Sequence, residues 1–201
     1  MDRRLATDTD DGMLLIISGP SGVGKTTITR GVERAIADSV FSVSATTRPK
    51  TASDVEGVDY HFIDEPEFDR MLERDAFLEW AQVFGHKYGT PRKWVEEQLK
   101  RGRVVILEID VEGAKQVKAR MPEAFAVFIL PPDEQTLLDR LHKRKREPEE
   151  QIRKRFAEAQ REIAEAKACG AYDAFIVNDD LERATAQALQ LVNDRRASGR
   201  G

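Results

Sequence analysis

The sequence predicts an α/β protein with a parallel sheet covered by helices on both faces. Three observations predict it. Apolar runs of strand length recur along the chain, at Met13-Leu-Leu-Ile-Ile-Ser18, Val104-Val-Ile-Leu-Glu-Ile109, Ala126-Val-Phe-Ile-Leu130 and Phe175-Ile-Val177. They are nearly continuous rather than alternating, as strands buried on both faces are. Helical patterns separate them, the arrangement of a wound parallel sheet. Finally, a glycine-rich turn, Gly19-Pro-Ser-Gly-Val-Gly-Lys-Thr26, joins the first run to the first helix.

That turn fits G-x-x-x-x-G-K-[ST] at every fixed position, and it has the strand before and the helix after that a phosphate loop needs. Successive backbone N–H groups converge there on an anion at a positive helix N-terminus. Gly19, Gly22 and Gly24 remove Cβ atoms where backbone approaches phosphate or takes positive φ. Pro20, Ser21, Val23 and Thr27 complete the loop, Lys25 reaches the β- and γ-phosphates, and the Thr26 hydroxyl ligates Mg²⁺. The helix that follows runs to about residue 37.

From about residue 44 to 93 the pattern changes. Tyr60, His61, Phe62, Phe68, Phe77, Trp80, Phe84 and Tyr88 interleave with polar residues, and Pro49, Gly57 and Gly89 break the run. This predicts an inserted α+β unit beside the sheet. The runs at 104–109 and 126–130 return to the sheet. Asp110, just after the first of these, suits either an N-cap for the following helix or the water shell of a metal. Nine Lys and Arg residues lie between Arg140 and Arg161, offset in part by Glu147, Glu149, Glu150 and Glu158. They form either a solvated helical face or a basic lid over a triphosphate. Ile152, Phe156, Ala159, Ile163 and Ala166 share one helical stripe, with Pro148 near its start. Leu181, Ala184, Ala188, Leu189 and Val192 form another, with Asp180 as N-cap. Both stripes are core.

Composition excludes other classes. The chain has 201 residues, 40% apolar and 34% charged, enough for one substantial core with small insertions. A formal net charge of −4 makes no electrostatic case for nucleic acid or an anionic membrane. The first twelve residues form a polar leader with no apolar signal region. No apolar run approaches the ~18 residues that span a bilayer. Cys169 is the only cysteine, which rules out an intrachain disulfide or a cysteine metal cluster. A cytoplasmic protein is the expectation.

Several ordered blocks carry a family resemblance. Ser18-Gly-Pro-Ser-Gly-Val-Gly-Lys-Thr26, Val43-Ser-Ala-Thr-Thr-Arg48, Gly57-Val-Asp-Tyr-His-Phe62, Phe77-Leu-Glu-Trp-Ala81, Tyr88-Gly-Thr90, Leu107-Glu-Ile-Asp110 and Ile176-Val-Asn-Asp179 follow the order seen in guanylate kinases. The resemblance covers about residues 14–192. It implies a three-layer P-loop kinase fold with a parallel sheet core, an inserted α+β GMP-binding domain and a helical lid. The implied division is 1–43, 94–130 and 157–201 for the core, 44–93 for GMP binding and 131–156 for the lid. The implied reaction is ATP + GMP giving ADP + GDP with Mg²⁺, dGMP being a further acceptor. The partners would be ATP and GMP, in a monomer or small homo-oligomer.

The carry-over makes chemical sense. Guanine offers N1–H and N2–H₂ donors, so its reader should present carboxylates, and Glu79 and Glu108 match such positions. Adenine would leave them unpaired. Ser44 and Thr90 match positions that hydrogen-bond the base. Arg48, Tyr60 and Tyr88 match those that hold the GMP phosphate. Arg144 and Arg155 match lid arginines that reach the transferring phosphate, and Thr26 and Asp110 the metal site. No general base is needed, because the GMP phosphate is itself the nucleophile.

Two departures stand out. The family's Arg-x-x-Arg pattern ends here at Thr51, with Lys50 the available substitute as a point charge. Its lid arginine is usually followed by Gly-Thr, where this chain has Lys145-Arg146. Rival readings differ in what they require. A regulatory GTPase would need an Asn-Lys-x-Asp motif, and none occurs. A non-catalytic module of this family would typically show a degraded loop, whereas Lys25, Thr26, Arg48 and Glu79 are all present. The two departures leave open a related kinase acting on another phosphorylated small molecule.

Overall fold

The computed structural model describes residues 12–83, 85–143 and 148–198. Phe84, Arg144, Lys145, Arg146 and all but the last residue of the polar leader lie outside these. In chain order the elements are β1 (Met13–Ser18), α1 (Lys25–Ala35), β2 (Ser39–Phe41), β3 (Ala45–Thr46), β4 (His61–Phe62), α2 (Glu65–Glu73), β5 (Phe77–Val83) and β6 (His86–Pro91). They continue with α3 (Arg92–Lys100), β7 (Val104–Glu108), α4 (Val111–Arg120), β8 (Phe125–Leu130), α5 (Glu134–Lys143), α6 (Glu149–Ala168), β9 (Ala174–Val177) and α7 (Leu181–Ser198).

The main sheet is parallel throughout, in the order β2-β7-β1-β8-β9. Its two faces explain the continuous apolar runs. Leu15, Ile17, Ile106, Val127 and Ile129 pack against Ile28 and Val32 of α1 and Ala188 and Val192 of α7. Their alternating neighbours Leu14, Ile16, Val105, Leu107 and Ala126 pack on the other face, against Val95 of α3 and Ala114 and Val117 of α4. Side chains alternate along a strand, so only a sheet buried on both sides buries every residue of β1 and makes all but Ser18 apolar.

The helical stripes need two refinements. On α7, Leu181 is exposed, whereas Ala184, Ala188 and Val192 are buried. Leu181 opens the helix, where Asp180 accepts the Arg183 N–H at 2.9 Å as an N-cap does. On α6, one stripe serves two clusters. Ile152, Phe156 and Ala159 pack with Leu137 and Leu141 of α5, while Ala166 packs with Phe128 and Val111. The helix runs unbroken for 20 residues, so the boundary expected between residues 156 and 157 falls inside it.

The inserted segment forms a second, four-stranded sheet in the order β4-β3-β6-β5. Its small core stacks Phe68 on Phe77. β5 is an edge strand, and α4 covers that edge with side chains. Gln116 accepts from the Trp80 N–H at 3.1 Å and donates to the Trp80 carbonyl at 2.9 Å, mimicking a ladder partner. Arg120 donates to the Phe77 carbonyl at 2.9 Å and pairs with Asp75. Edge groups satisfied in this way cannot recruit a foreign strand.

These bonds flank Glu79 and tie β5 to the helix. Gln116→Ala should lower the unfolding free energy by about 1 kcal/mol, since two water-accessible bonds are lost. Urea titration followed by circular dichroism checks this; an unchanged midpoint would show that water replaces both bonds fully.

Candidate active site

β1 and β7 run side by side and end together, with Ile17 paired to Glu108. The phosphate loop leaves β1 at that end. Ser18 donates to the Ile109 carbonyl at 2.7 Å, which joins the two strand ends. Gly19, Gly22 and Gly24 all take positive φ, and Gly24 caps α1 in the left-handed region. Gly24 also allows a close approach: a Cβ there would lie 2.6 Å from Nδ2 of Asn178. That amide donates to the Val23 carbonyl at 2.7 Å and is buried. Val23 itself is buried in the core. The loop is therefore pinned from inside by a side chain 155 residues away.

At the loop mouth Lys25 Nζ donates to the Gly19 carbonyl at 2.6 Å, and the Thr26 hydroxyl donates to Glu108 at 2.8 Å. Pro20, Ser21, Gly22, Gly24, Lys25, Thr26 and Thr27 line a groove of about 160 Å³. Beside it lies a cavity of about 420 Å³, into which Gly19, Ser21, Lys25, Ser44, Tyr60, Glu79, Tyr88, Glu108, Asp110 and Glu162 open. Residues from both sheets and from α6 thus meet in one space.

Most positions expected from the sequence line this cavity or the groove beside it, and Arg48 lines neither. Thr90 does not line the cavity but lies behind it, buried, donating to Glu79 at 2.5 Å. Tyr60 and Tyr88 meet edge to face at 5.6 Å, and the Arg48 guanidinium lies over the Tyr60 ring at 5.3 Å. Asp110 is the N-cap of α4, accepting the Gly113 N–H at 2.8 Å. It also lines the cavity, so the two roles read from the sequence share one side chain. Arg155 is half-buried on α6 and is not among the cavity-lining residues. Arg144 lies outside the described residues.

Three features had no role assigned from sequence. Asn178 is one. Its block was legible, but its grip on the loop depends on a long-range contact. Glu162 is another: the helical stripe of α6 marked the buried face, and Glu162 sits beside Ile163 at its margin, facing the cavity. The third is a second opening of about 350 Å³ across the loop, where Arg140, Asn178, Asp179, Asp180 and Leu181 face Gly22, Gly24 and Thr27.

Glu79 is the most unusual group at the site. It is 5% exposed, and burial pushes its carboxyl up to about 7, with Asp110 adding to the effect and the Thr90 bond opposing it. Burial also pushes Glu162 up to about 7, against the pull of Lys25. The Glu79 carboxylate lies against the first turn of α4, where Gly113 makes room. A Cβ at Gly113 would stand 2.9 Å from Glu79 Oε2 and 3.3 Å from Asp110 Oδ1.

The comparisons with known proteins agree on one family. The guanylate kinase family model matches residues 11–195. A guanylate kinase of Carboxydothermus hydrogenoformans is 51% identical over 173 residues, covering 86% of this chain and 83% of that one. One from Coxiella burnetii is 44% identical over 183 residues, covering 91% and 87%. Among solved structures, the guanylate kinase from Anaplasma phagocytophilum superimposes with a TM-score of 0.74 at 32% identity, covering 94% of this chain and 88% of that one.

The buried Glu79 carboxyl should leave a signature in stability. It keeps its proton up to about pH 7 in the native state, while the unfolded chain releases it near 4.5. Native protein then binds the extra proton between those values, so stability falls as pH rises from 4.5 to 7. Glu79 contributes at most about 3 kcal/mol to that fall. Urea unfolding of wild type and Glu79→Gln across this range checks it. Parallel pH profiles would mean that Glu79 ionises normally.

Proposed function

The chain belongs to the guanylate kinase family, and we propose that it transfers the γ-phosphoryl group of ATP to GMP with the residues gathered at this cavity. The observation that carries the reading is the meeting of a phosphate loop with two carboxylates, Glu79 and Glu108, in one cavity. Phosphate chemistry and a reader of guanine donors stand side by side.

The roles follow from chemistry. Glu79, supported by Thr90, and Glu108 accept from guanine N1–H and N2–H₂, with Ser44 alongside. Arg48, Tyr60 and Tyr88 hold the GMP phosphate, the planar guanidinium offering paired N–H groups and the phenols neutral bonds. The loop amides and Lys25 hold the ATP phosphates. An oxygen of the GMP phosphate attacks the γ-phosphorus, and the bond to the β-phosphate oxygen breaks to release ADP. Lys25 and the lid arginines, Arg155 and Arg144, neutralise the charge spread over the transferring group. Catalysis then rests on alignment rather than on a general base. dGMP has the same base and phosphate, and none of these side chains is assigned to the 2′-hydroxyl, so it should also be accepted.

Among the described residues no group of three or more His, Cys, Asp or Glu is arranged to hold a metal. The oxygens near the loop mouth, the Thr26 hydroxyl and the Asp110 carboxylate, are hard donors few in number. They suit Mg²⁺ that arrives already held by nucleotide phosphates and water, where it would screen the phosphate charge.

We read the four-stranded sheet with α2 as the GMP-binding unit, α5 and the first part of α6 as the lid, and the rest as the core. No helix of the described residues is long and apolar enough to cross a membrane. We read the protein as a cytoplasmic enzyme that works on nucleotides as a monomer or small homo-oligomer.

Coupled ADP-release assays with GMP, AMP, CMP and UMP test the reading, with GMP expected to be the strong acceptor. Lys25→Ala should lower kcat by roughly two orders of magnitude, as removal of a charge aimed at the transition state does. Near-normal turnover would overturn the loop assignment. Gly113→Ala gives a sharper test of Glu79. Alanine suits a helix better than glycine, which offsets part of the cost of crowding the buried Glu79 carboxylate, so thermal stability should change little. The new methyl displaces the Glu79 carboxylate, so the KM for GMP should rise severalfold while that for ATP stays level. Equal effects on both nucleotides would detach Glu79 from base recognition.

A further inference from the structure

The segment between Arg48 and Tyr60 has a bond pattern that the position of Thr51, where a second arginine is common, does not suggest. Asp54 accepts from both terminal nitrogens of Arg48, Nη1 to Oδ2 and Nη2 to Oδ1, each at 3.0 Å. The same Oδ2 accepts the Thr51 N–H at 2.6 Å and the Thr51 hydroxyl at 2.7 Å. Thr51 therefore fixes the carboxylate that fixes the guanidinium. The Arg48 backbone is held as well, because its N–H donates to the buried Thr46 hydroxyl at 3.1 Å.

The guanidinium has two edges that can pair with an anion. Asp54 takes the edge made by the two terminal nitrogens, and the Pro49 carbonyl accepts a further Nη1 bond at 3.2 Å. The other edge, Nε–H with the second Nη2 hydrogen, has no bond to a described residue. The plane lies over Tyr60 at 5.3 Å and Phe62 at 5.5 Å, and Tyr60 lines the cavity. An arginine held by one edge presents the other at a fixed angle, so less side-chain entropy is lost when an anion binds. Asp54 is also held well below the usual carboxylate range, first by Arg48 and then by the two Thr51 bonds. Lys50 lies elsewhere: it is exposed, with its ammonium 5.9 Å from the Phe62 ring.

We propose that Thr51 and Asp54 are positioning residues that hold Arg48 with its free edge available to the GMP phosphate. Thr51 thus serves the first arginine instead of supplying a second cation. The proposal rests on the assignment of Arg48 to the GMP phosphate.

The test is steady-state kinetics with GMP varied at saturating ATP, and the reverse, on wild type, Thr51→Val, Thr51→Ser, Asp54→Asn, Lys50→Ala and Arg48→Ala. Thr51→Val keeps the shape and loses the hydroxyl. It should raise the KM for GMP about three- to tenfold, the effect of one hydrogen bond, with the KM for ATP within about twofold. Thr51→Ser should restore the wild-type value, and Asp54→Asn should raise the KM for GMP further than Thr51→Val. Lys50→Ala should move it less than Thr51→Val does. In an Arg48→Ala background Thr51→Val should add nothing, because a residue acting through Arg48 has nothing left to orient. An unchanged Thr51→Val, a lower KM in Asp54→Asn, or additive effects with Arg48→Ala would each overturn the proposal. Wild type that fails to phosphorylate GMP, or Arg48→Ala with normal GMP kinetics, would instead overturn the assignment beneath it.

Discussion

The common end of β1 and β7 is the constraint on which the rest of the molecule depends. Parallel pairing of Ile17 with Glu108 brings the phosphate loop and the Glu108–Asp110 turn out of the sheet at the same level. Open α/β sheets bind ligands at the carboxyl ends of their strands, where successive connections diverge. Here β1 is flanked by β7 on one side and β8 on the other. Ser18 bonded to Ile109 and Thr26 bonded to Glu108 then join the two turns directly. α4 starts from the second turn, and through Gln116 and Arg120 it holds β5 and thereby Glu79. A shift in the strand register would separate the phosphate loop from Glu108 and Asp110.

The charge arrangement follows from what each part must recognise. Glu79, Glu108, Asp110 and Glu162 all open into a cavity assigned to anionic nucleotides. Carboxylates suit the N1–H and N2–H₂ donors of guanine, but they repel phosphate. The loop resolves the conflict by using backbone N–H groups and the positive end of α1, which attract phosphate without adding side chains. Burial raises Glu79 and Glu162 in pKa, so neither carboxyl is fully ionised near neutrality. Guanine donors would draw Glu79 toward its charged form, so base binding and proton release are linked there.

Much of this was legible in the sequence, for reasons that can be named. The phosphate loop is a contiguous motif whose chemistry is local. The strands were legible because burial on both faces leaves no polar alternation, and β1 has the predicted limits. The ordered blocks located Ser44, Tyr60, Glu79, Tyr88 and Glu108, which share one cavity. What stayed hidden depended on contacts between distant residues or on loop conformation. Asn178 grips the loop across 155 residues. Thr51 reads as a missing arginine until the turn brings its hydroxyl to Asp54. The continuity of α6 was legible in its single stripe, whereas the division of that stripe between two hydrophobic clusters was not. Leu181 kept the period of its stripe but sits in the first turn, where the helix has not yet reached the core.

That continuity has a mechanical meaning. Twenty residues of α-helix make a rod of ~30 Å, stiff because each turn is bonded to the next. The rod is clamped at one end, where Ala166 packs on Phe128 and Val111, and grips α5 at the other through Ile152 and Phe156. Glu162 projects into the cavity close to the clamped end. A rod pivoting at that end would swing Ile152 and α5 through several ångströms for each ten degrees while displacing Glu162 only slightly. Its two ends therefore differ in reach, one sweeping a wide arc and the other staying in register with the phosphate loop.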